Sequence, residues 1–156
     1  MAGWARQEKS GEKGGDHNLS SHFDLEIEGT RQKGVTSISG LESALQTVDF
    51  VNGNDTTVRS RVARNKSGNL VARRHYTSGD DDWVTYFQTH QKGDTKRGTA
   101  SVILKNMAGE DTGRFDLMEV QPIRWKLGDL KSDQSGNLEE ELELKFETVR
   151  FTSMAK

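Results

Sequence analysis

GRFDLMEVQPIRWKLGDLKSDQSGNLEEELELKFETVRF, residues 113–151, is the stretch whose reading decides the fold. It reads as two long strands joined by a turn-rich connection. In the second strand Leu142, Leu144 and Phe146 alternate with Glu141, Glu143, Lys145 and Glu147. Period-two alternation sends the apolar set to one face of a sheet and the charged set to the other. After Thr148 the phase slips and Val149 and Phe151 become the apolar positions, which predicts a bulge or bend there. The first strand, residues 114–120, sets Phe115 and Leu117 against Asp116, Met118 and Val120, a mixed pattern suited to a strand covered on both faces. Pro122 is the only proline and cannot donate to a ladder, so it marks a strand end or an edge.

Working outward, Phe23, Leu25 and Ile27 alternate with Asp24, Glu26 and Glu28 in a half-buried strand stopped by Gly29. Residues 34–40 form a second short strand, and residues 41–51 continue as a mixed one. Asn52-Gly53-Asn54-Asp55 is a turn, and Lys66-Ser67-Gly68-Asn69 reads as another. Between and beyond them, residues 57–76 read as an extended, poorly buried hairpin or loop. Ser78 to Asp82 supplies caps and first-turn carboxylates for a helix in which Trp83 and Phe87 face the sheet, ending near Lys92-Gly93. Residues 99–106 form the strand before the opening stretch. The fold class expected is mainly β: a sandwich or barrel of about seven strands, one flanking α-helix and an extended hairpin or loop.

The chain has 156 residues, which fits one domain at residues 21–156 behind a flexible N-terminal arm at 1–20, rich in Gly, Ser and charge. Only 31% of residues are hydrophobic and the mean hydropathy is -0.81. So thin an apolar supply favours burial against neighbouring subunits. The absence of cysteine excludes disulfides, thiolate metal sites and thiol nucleophiles. No run approaches the roughly 18 apolar residues of a membrane helix, so no membrane anchor is expected. The first residues lack the apolar core of a secretory signal, so the chain is expected to start in a cytoplasm.

Chemistry is hard to find. His17, His22, His75 and His90 stand at no metal-binding spacing, and Asp80-Asp81-Asp82 lacks the glycine and distal Glu of a calcium loop. No catalytic, metal or cofactor-binding residue is assigned. Charge is what stands out. Residues 56–79 hold Arg59, Arg61, Arg64, Lys66, Arg73 and Arg74 with no carboxylate, so the rest of a chain of net charge -2 sums to -8. Glu139, Glu140, Glu141 and Glu143 cluster elsewhere. These ten residues are the candidate subunit interface, the basic stretch of one copy meeting acidic surface on the next.

Several pieces, taken in order, resemble the tail tube protein of contractile-tailed bacteriophages and the inner-tube proteins of contractile injection systems. They are HFDLEIEG and GVTSISGLES within residues 22–43, with Ser39-Gly40-Leu41-Glu42; the acidic-start helix with Trp83, then Lys96-Arg97-Gly98-Thr99; and Pro122, Trp125, Gly128-Asp129-Leu130, Gly136-Asn137 and the Glu-rich closing strand. The chain departs from the family in lacking a Pro-Gly-Leu element at Lys66 to Leu70. The resemblance implies a structural subunit, not an enzyme, needing no cofactor and stacking as hexameric rings into a hollow tube. The implied partners are further copies, a surrounding sheath, baseplate and terminator proteins at the tube ends, and DNA or protein cargo in the lumen. The implied location is the bacterial cytoplasm during assembly and then the assembled phage tail or injection particle, in the virion or outside the cell if released. A monomeric β-barrel ligand carrier is the alternative.

Overall fold

The longest strand, β8 (Asp111–Leu127), organises a computed structural model that describes residues 22–93, 96–133 and 136–153. Its first half pairs with β7 (Gly98–Lys105) on one side and β10 (Thr148–Ser153) on the other. Its second half pairs with β9 (Glu139–Phe146). Strands β9 and β10 are thus one run, broken at Glu147, where the sequence phase slips. Facing the break, Glu119 takes a left-handed φ of 57° and Glu147 N–H donates to the Met118 carbonyl at 3.0 Å. The pairs Gly98 with Val120 and Ala100 with Leu117 show that β8 gains a residue over β7 here. Such a bulge sharpens the twist and lets one strand serve two layers.

The other strands are β1 (Phe23–Ile27), β2 (Thr30–Gln32), β3 (Val35–Ser39), β4 (Ala44–Phe50), β5 (Arg59–Lys66) and β6 (Gly68–His75). The main sheet runs β2-β1-β7-β8-β9-β6-β3, with β10 beside β8, while β4 and β5 pair only with each other. It folds into two layers rather than closing as a barrel. Leu25, Ile27, Ala100, Val102 and Leu117 of one layer pack against Leu70, Ala72, Leu142, Leu144 and Phe146 of the other. At about 25 cal/mol per Å² of apolar surface removed from water, this two-sided core is the main term holding the chain together. The strand order stays open from β2 to β3, so the ligand-carrier alternative finds no closed barrel among the described residues. Pro122 lies inside β8 rather than at its end. It stands just past the last β7 pair, where β8 has a strand on one flank only, and next to the register shift around Ile123.

The single helix among the described residues, α1 (Asp82–Gln91), ends at Lys92 and Gly93 as its sequence predicts. Trp83 is 1% exposed and donates its indole N–H to Gln32 Oε1 at 2.8 Å. Its companion against the core is Tyr86, one turn on, rather than Phe87; both are half-buried, and Tyr86 is the one packed on the core cluster. Ten strands among the described residues replace the expected seven or so, because β2 is too short to show a period and the long runs divide at bulges.

The hairpin needs the larger correction. Residues 57–76 do not fold back on themselves at 66–69. Instead β5 pairs with β4 around the turn at 52–55, while β6 enters the main sheet between β3 and β9. The pairs Ser39 with Val71 and Ala44 with Lys66 lie on one register, so β3–β4 and β5–β6 form one long ribbon. Its distal half stands clear of the body, and every residue of β5 is exposed.

Candidate assembly surfaces

The basic stretch divides where the ribbon leaves the sheet. Arg59, Arg61, Arg64 and Lys66 lie on the arm, residues 44–66, in the open. Arg59 Nε is 3.0 Å from Asp55 Oδ2, and the Arg61 guanidinium lies 5.9 Å from the Phe50 ring centroid. The arm also exposes Leu45, Val48, Val51, Val58 and Val62, between 50% and 62%. An apolar surface of that kind on a monomeric domain marks an interaction site.

The other part of the stretch pairs within the chain. Register sets Arg73 opposite Glu141, Arg74 opposite Glu140 and His75 opposite Glu139. Arg73 Nε is 3.6 Å from Glu141 Oε2, and Asn69 Nδ2 donates to Glu143 Oε1 at 3.1 Å. On the other flank of β9, Lys126 stands opposite Glu141 and Arg124 opposite Glu143. The acidic ladder is therefore largely matched by its own β6 and β8, and Glu139 is its most exposed member.

Arg74 and Glu140 leave the candidate interface altogether. They are 2% and 1% exposed, and Arg74 Nε donates to Glu140 Oε1 at 2.5 Å. Trp125 Nε1 donates to Glu140 Oε2 at 3.0 Å, the Arg74 guanidinium reaches Asp80 at 3.4 Å, and it lies 4.3 Å from the Trp83 ring centroid. A buried ion pair survives desolvation only when its remaining donors and acceptors are met, and here they are. This cluster ties β6, β9, β8 and α1 together. Strand parity could have revealed it, since Glu140 shares the face of Leu142, Leu144 and Phe146, and Arg74 that of Leu70 and Ala72.

The outer face of β1, β7 and β8 holds a second network that sequence reading did not assemble. Arg114 donates to Asp116 Oδ1 at 2.8 Å and to Glu26 Oε2 at 3.0 Å, and Ser101 Oγ donates to Asp116 at 2.6 Å. Arg31 and Lys105 meet Asp24 at 2.7 and 2.9 Å. The hydrogen bond to Asp116 raises the Arg114 pKa against a smaller opposing effect of burial. Burial alone would push the Asp116 carboxyl up, but the bonds from Ser101 and Arg114 together outweigh it and hold the pKa below its usual 3.8. Ile103, 0% exposed, lies on this same face. The ion pairs of this face are made within the chain.

Among the described residues no group of His, Cys, Asp or Glu could hold a metal ion, and no helix is long and apolar enough to cross a membrane. A mainly β sandwich whose open features are an arm and strand edges, with the ionised groups of its body largely paired internally, has the build of a structural subunit. The chain belongs to the family of the T4-like virus tail tube protein gp19, whose model matches residues 19–150. It is a tube protein and not an enzyme. Its fold is similar to a chain of the PVC sheath-tube complex, an extracellular contractile injection system in its extended state, with TM-score 0.78 and 15% identity, over 88% of this chain and 93% of that one. The tube-terminating cap of the anti-feeding prophage gives TM-score 0.78 at 14% identity, covering 88% and 91%. Hcp1 from Flavobacterium johnsoniae gives 0.54 at 15%, covering 85% and 95%. No curated protein sequence matches the chain.

Proposed function

We propose that the protein stacks as hexameric rings into the hollow inner tube of a contractile tail or injection system. A sheath surrounds that tube, baseplate and terminator proteins close its ends, and DNA or protein cargo occupies its lumen. Assembly takes place in the bacterial cytoplasm before the particle is complete. The observation that carries this reading is the arm: a basic, apolar two-stranded ribbon whose strands pair only with each other among the described residues, on a tube-family fold. Exposed strand edges are hazards in a monomer and become joints when copies meet.

The interface set is Arg59, Arg61, Arg64 and Lys66 on the arm, with Arg73, Glu139, Glu141 and Glu143 available to a neighbour along the ladder. Exposed ion pairs contribute roughly 0–1 kcal/mol each, so their value lies in repetition around a ring and in fixing register. The double reversal Arg59→Glu with Arg61→Glu tests this. It should melt like the wild type, because both side chains are exposed, yet form few rings and tubes in the electron microscope. Tubes of normal length with unchanged salt sensitivity would contradict it.

A further inference from the structure

We infer that Asn52, at the tip of the arm, is a site of spontaneous covalent modification, its carboxamide converting through a cyclic imide to isoaspartate or aspartate and loosening the arm. This goes beyond the tube-subunit reading and does not depend on it. Of the asparagines in the chain, only Asn52 is followed by glycine. The reaction begins when the Gly53 amide loses its proton and its nitrogen attacks the side-chain carbonyl carbon of Asn52. A new N–C bond closes the imide, and the side-chain nitrogen leaves as ammonia, taking up the proton. Water then opens the ring at either carbonyl. Opening at the side-chain carbonyl gives aspartate; opening at the main-chain carbonyl gives isoaspartate, whose chain runs on through the former side chain. Water is the only other reactant.

Order is what slows this reaction in a folded chain, and little order reaches Asn52. Strand β4 ends at Phe50 and β5 begins at Arg59, so the residue lies in neither. Asn52 and Gly53 are both exposed, and among the described residues no hydrogen bond holds the Asn52 carboxamide or the Gly53 N–H. A Cβ on Gly53 would meet nothing within 4 Å, so the imide has room to close. The turn takes glycine because φ there is +37°, and the same missing side chain leaves the attacking nitrogen unhindered. Other asparagines are better guarded. Asn65 lies in β5, Asn69 Nδ2 donates to Glu143 Oε1 at 3.1 Å, and Asn106 Oδ1 accepts from the Ala108 and Glu110 N–H groups at 3.0 and 2.9 Å. Asn54 is exposed, but the side chain of Asp55 crowds the nitrogen that would attack it.

The consequence falls on the turn itself. Asp55 N–H donates to the Asn52 carbonyl at 2.7 Å. In isoaspartate that carbonyl becomes a free carboxylate outside the main chain, and the main chain gains a methylene. Either product adds a negative charge to an arm of four cations and two carboxylates. Strands β4 and β5 pair only with each other, so the change loosens the arm and leaves the main sheet as it was.

The test ages the full-length wild type and Asn52→Gln side by side at mildly alkaline pH, which speeds loss of the amide proton. Both are then digested and mapped by mass spectrometry. Trypsin cuts after Lys33 and Arg59, so Asn52 and Asn54 share a peptide, and fragmentation tells them apart. The expected result is amide-to-acid exchange at Asn52 ahead of every other asparagine, with isoaspartate detected by enzymic methyl transfer and lost in Asn52→Gln. Hydrogen exchange over residues 44–66 should quicken in the aged wild type and not in aged Asn52→Gln, with the main sheet unchanged in both. An Asn52 that stays intact in the folded protein, while the same chain unfolded in urea converts, would show the turn protecting it. Conversion of another asparagine first would place the labile site elsewhere. Conversion at Asn52 with unchanged exchange in the arm would remove the structural consequence. Each of these three results overturns the inference, and none of them bears on whether the protein forms rings.

Discussion

At the scale of residues, two side chains that look like surface charge carry part of the fold. Arg74 and Glu140 sit in runs, Arg73-Arg74 and Glu139-Glu140-Glu141, where every member invites the same surface reading. Only the parity of the strands separates the buried member from the exposed ones. Breaking a buried pair by removing one partner leaves an uncompensated charge, so Glu140→Ala should cost roughly 3–5 kcal/mol in a denaturant melt. The double change Arg74→Met with Glu140→Leu should cost less than either single change. Equal losses in all three variants would show packing, not charge, to be decisive. Titration gives a second check. Burial, reinforced by Glu28, pushes the Tyr86 phenol from 10.0 to about 12, and its hydroxyl has no hydrogen-bond partner among the described residues. A raised pKa means that this contribution to stability is complete below pH 10.0 and is lost as pH rises through about 12. Asp116 works in the opposite direction: its contribution is complete above 3.8 and is lost as pH falls through its lower folded value. Melting temperature should therefore decline at both limits. Replacing Tyr86 with Phe should remove the alkaline decline that it causes, and Asp116→Asn the acid one.

At the scale of elements, strands and helix were legible where a period lasts. The closing strand, its phase slip, the first strand and the helix stop at Gly93 all follow from alternation and turn chemistry. The ribbon was misread because Lys66-Ser67-Gly68-Asn69 has the composition of a turn. Gly68 is there because the Phe146 ring occupies the place of a side chain, a long-range reason that no local pattern carries. Gly40→Ala should destabilise the protein by at least roughly 1–3 kcal/mol, since it adds a strained left-handed residue and drives a methyl into a backbone oxygen. On α1, Trp83→Ala should cost roughly 3–5 kcal/mol, the range for losing a fully buried aromatic. An unchanged melting temperature would mean that the helix is peripheral to folding. The choice of Tyr86 over Phe87 as second anchor depends on how α1 crosses β8, which helical spacing leaves open between the third and fourth positions.

At the scale of the whole molecule, thin hydrophobic content and segregated charge pointed to assembly before any fold was visible. The candidate site was half legible. The four arm cations stand in the open as expected, whereas the acidic cluster turned out to be matched by strands of its own chain. Sequence gave no view of that pairing, because it depends on β6 lying beside β9 across some seventy residues of chain. The arm's apolar residues were also visible, but read as poorly buried strand they could not be told from the edge of a core.

Assembly itself is the central claim, and class averages of the purified wild-type protein in the electron microscope, over a concentration and salt series, test it most directly. Hollow rings of six-fold symmetry that stack into tubes and dissociate as salt screens the arm are the expected result. Dispersed monomer throughout the series, persisting when preformed tube ends are supplied as seeds, would contradict it.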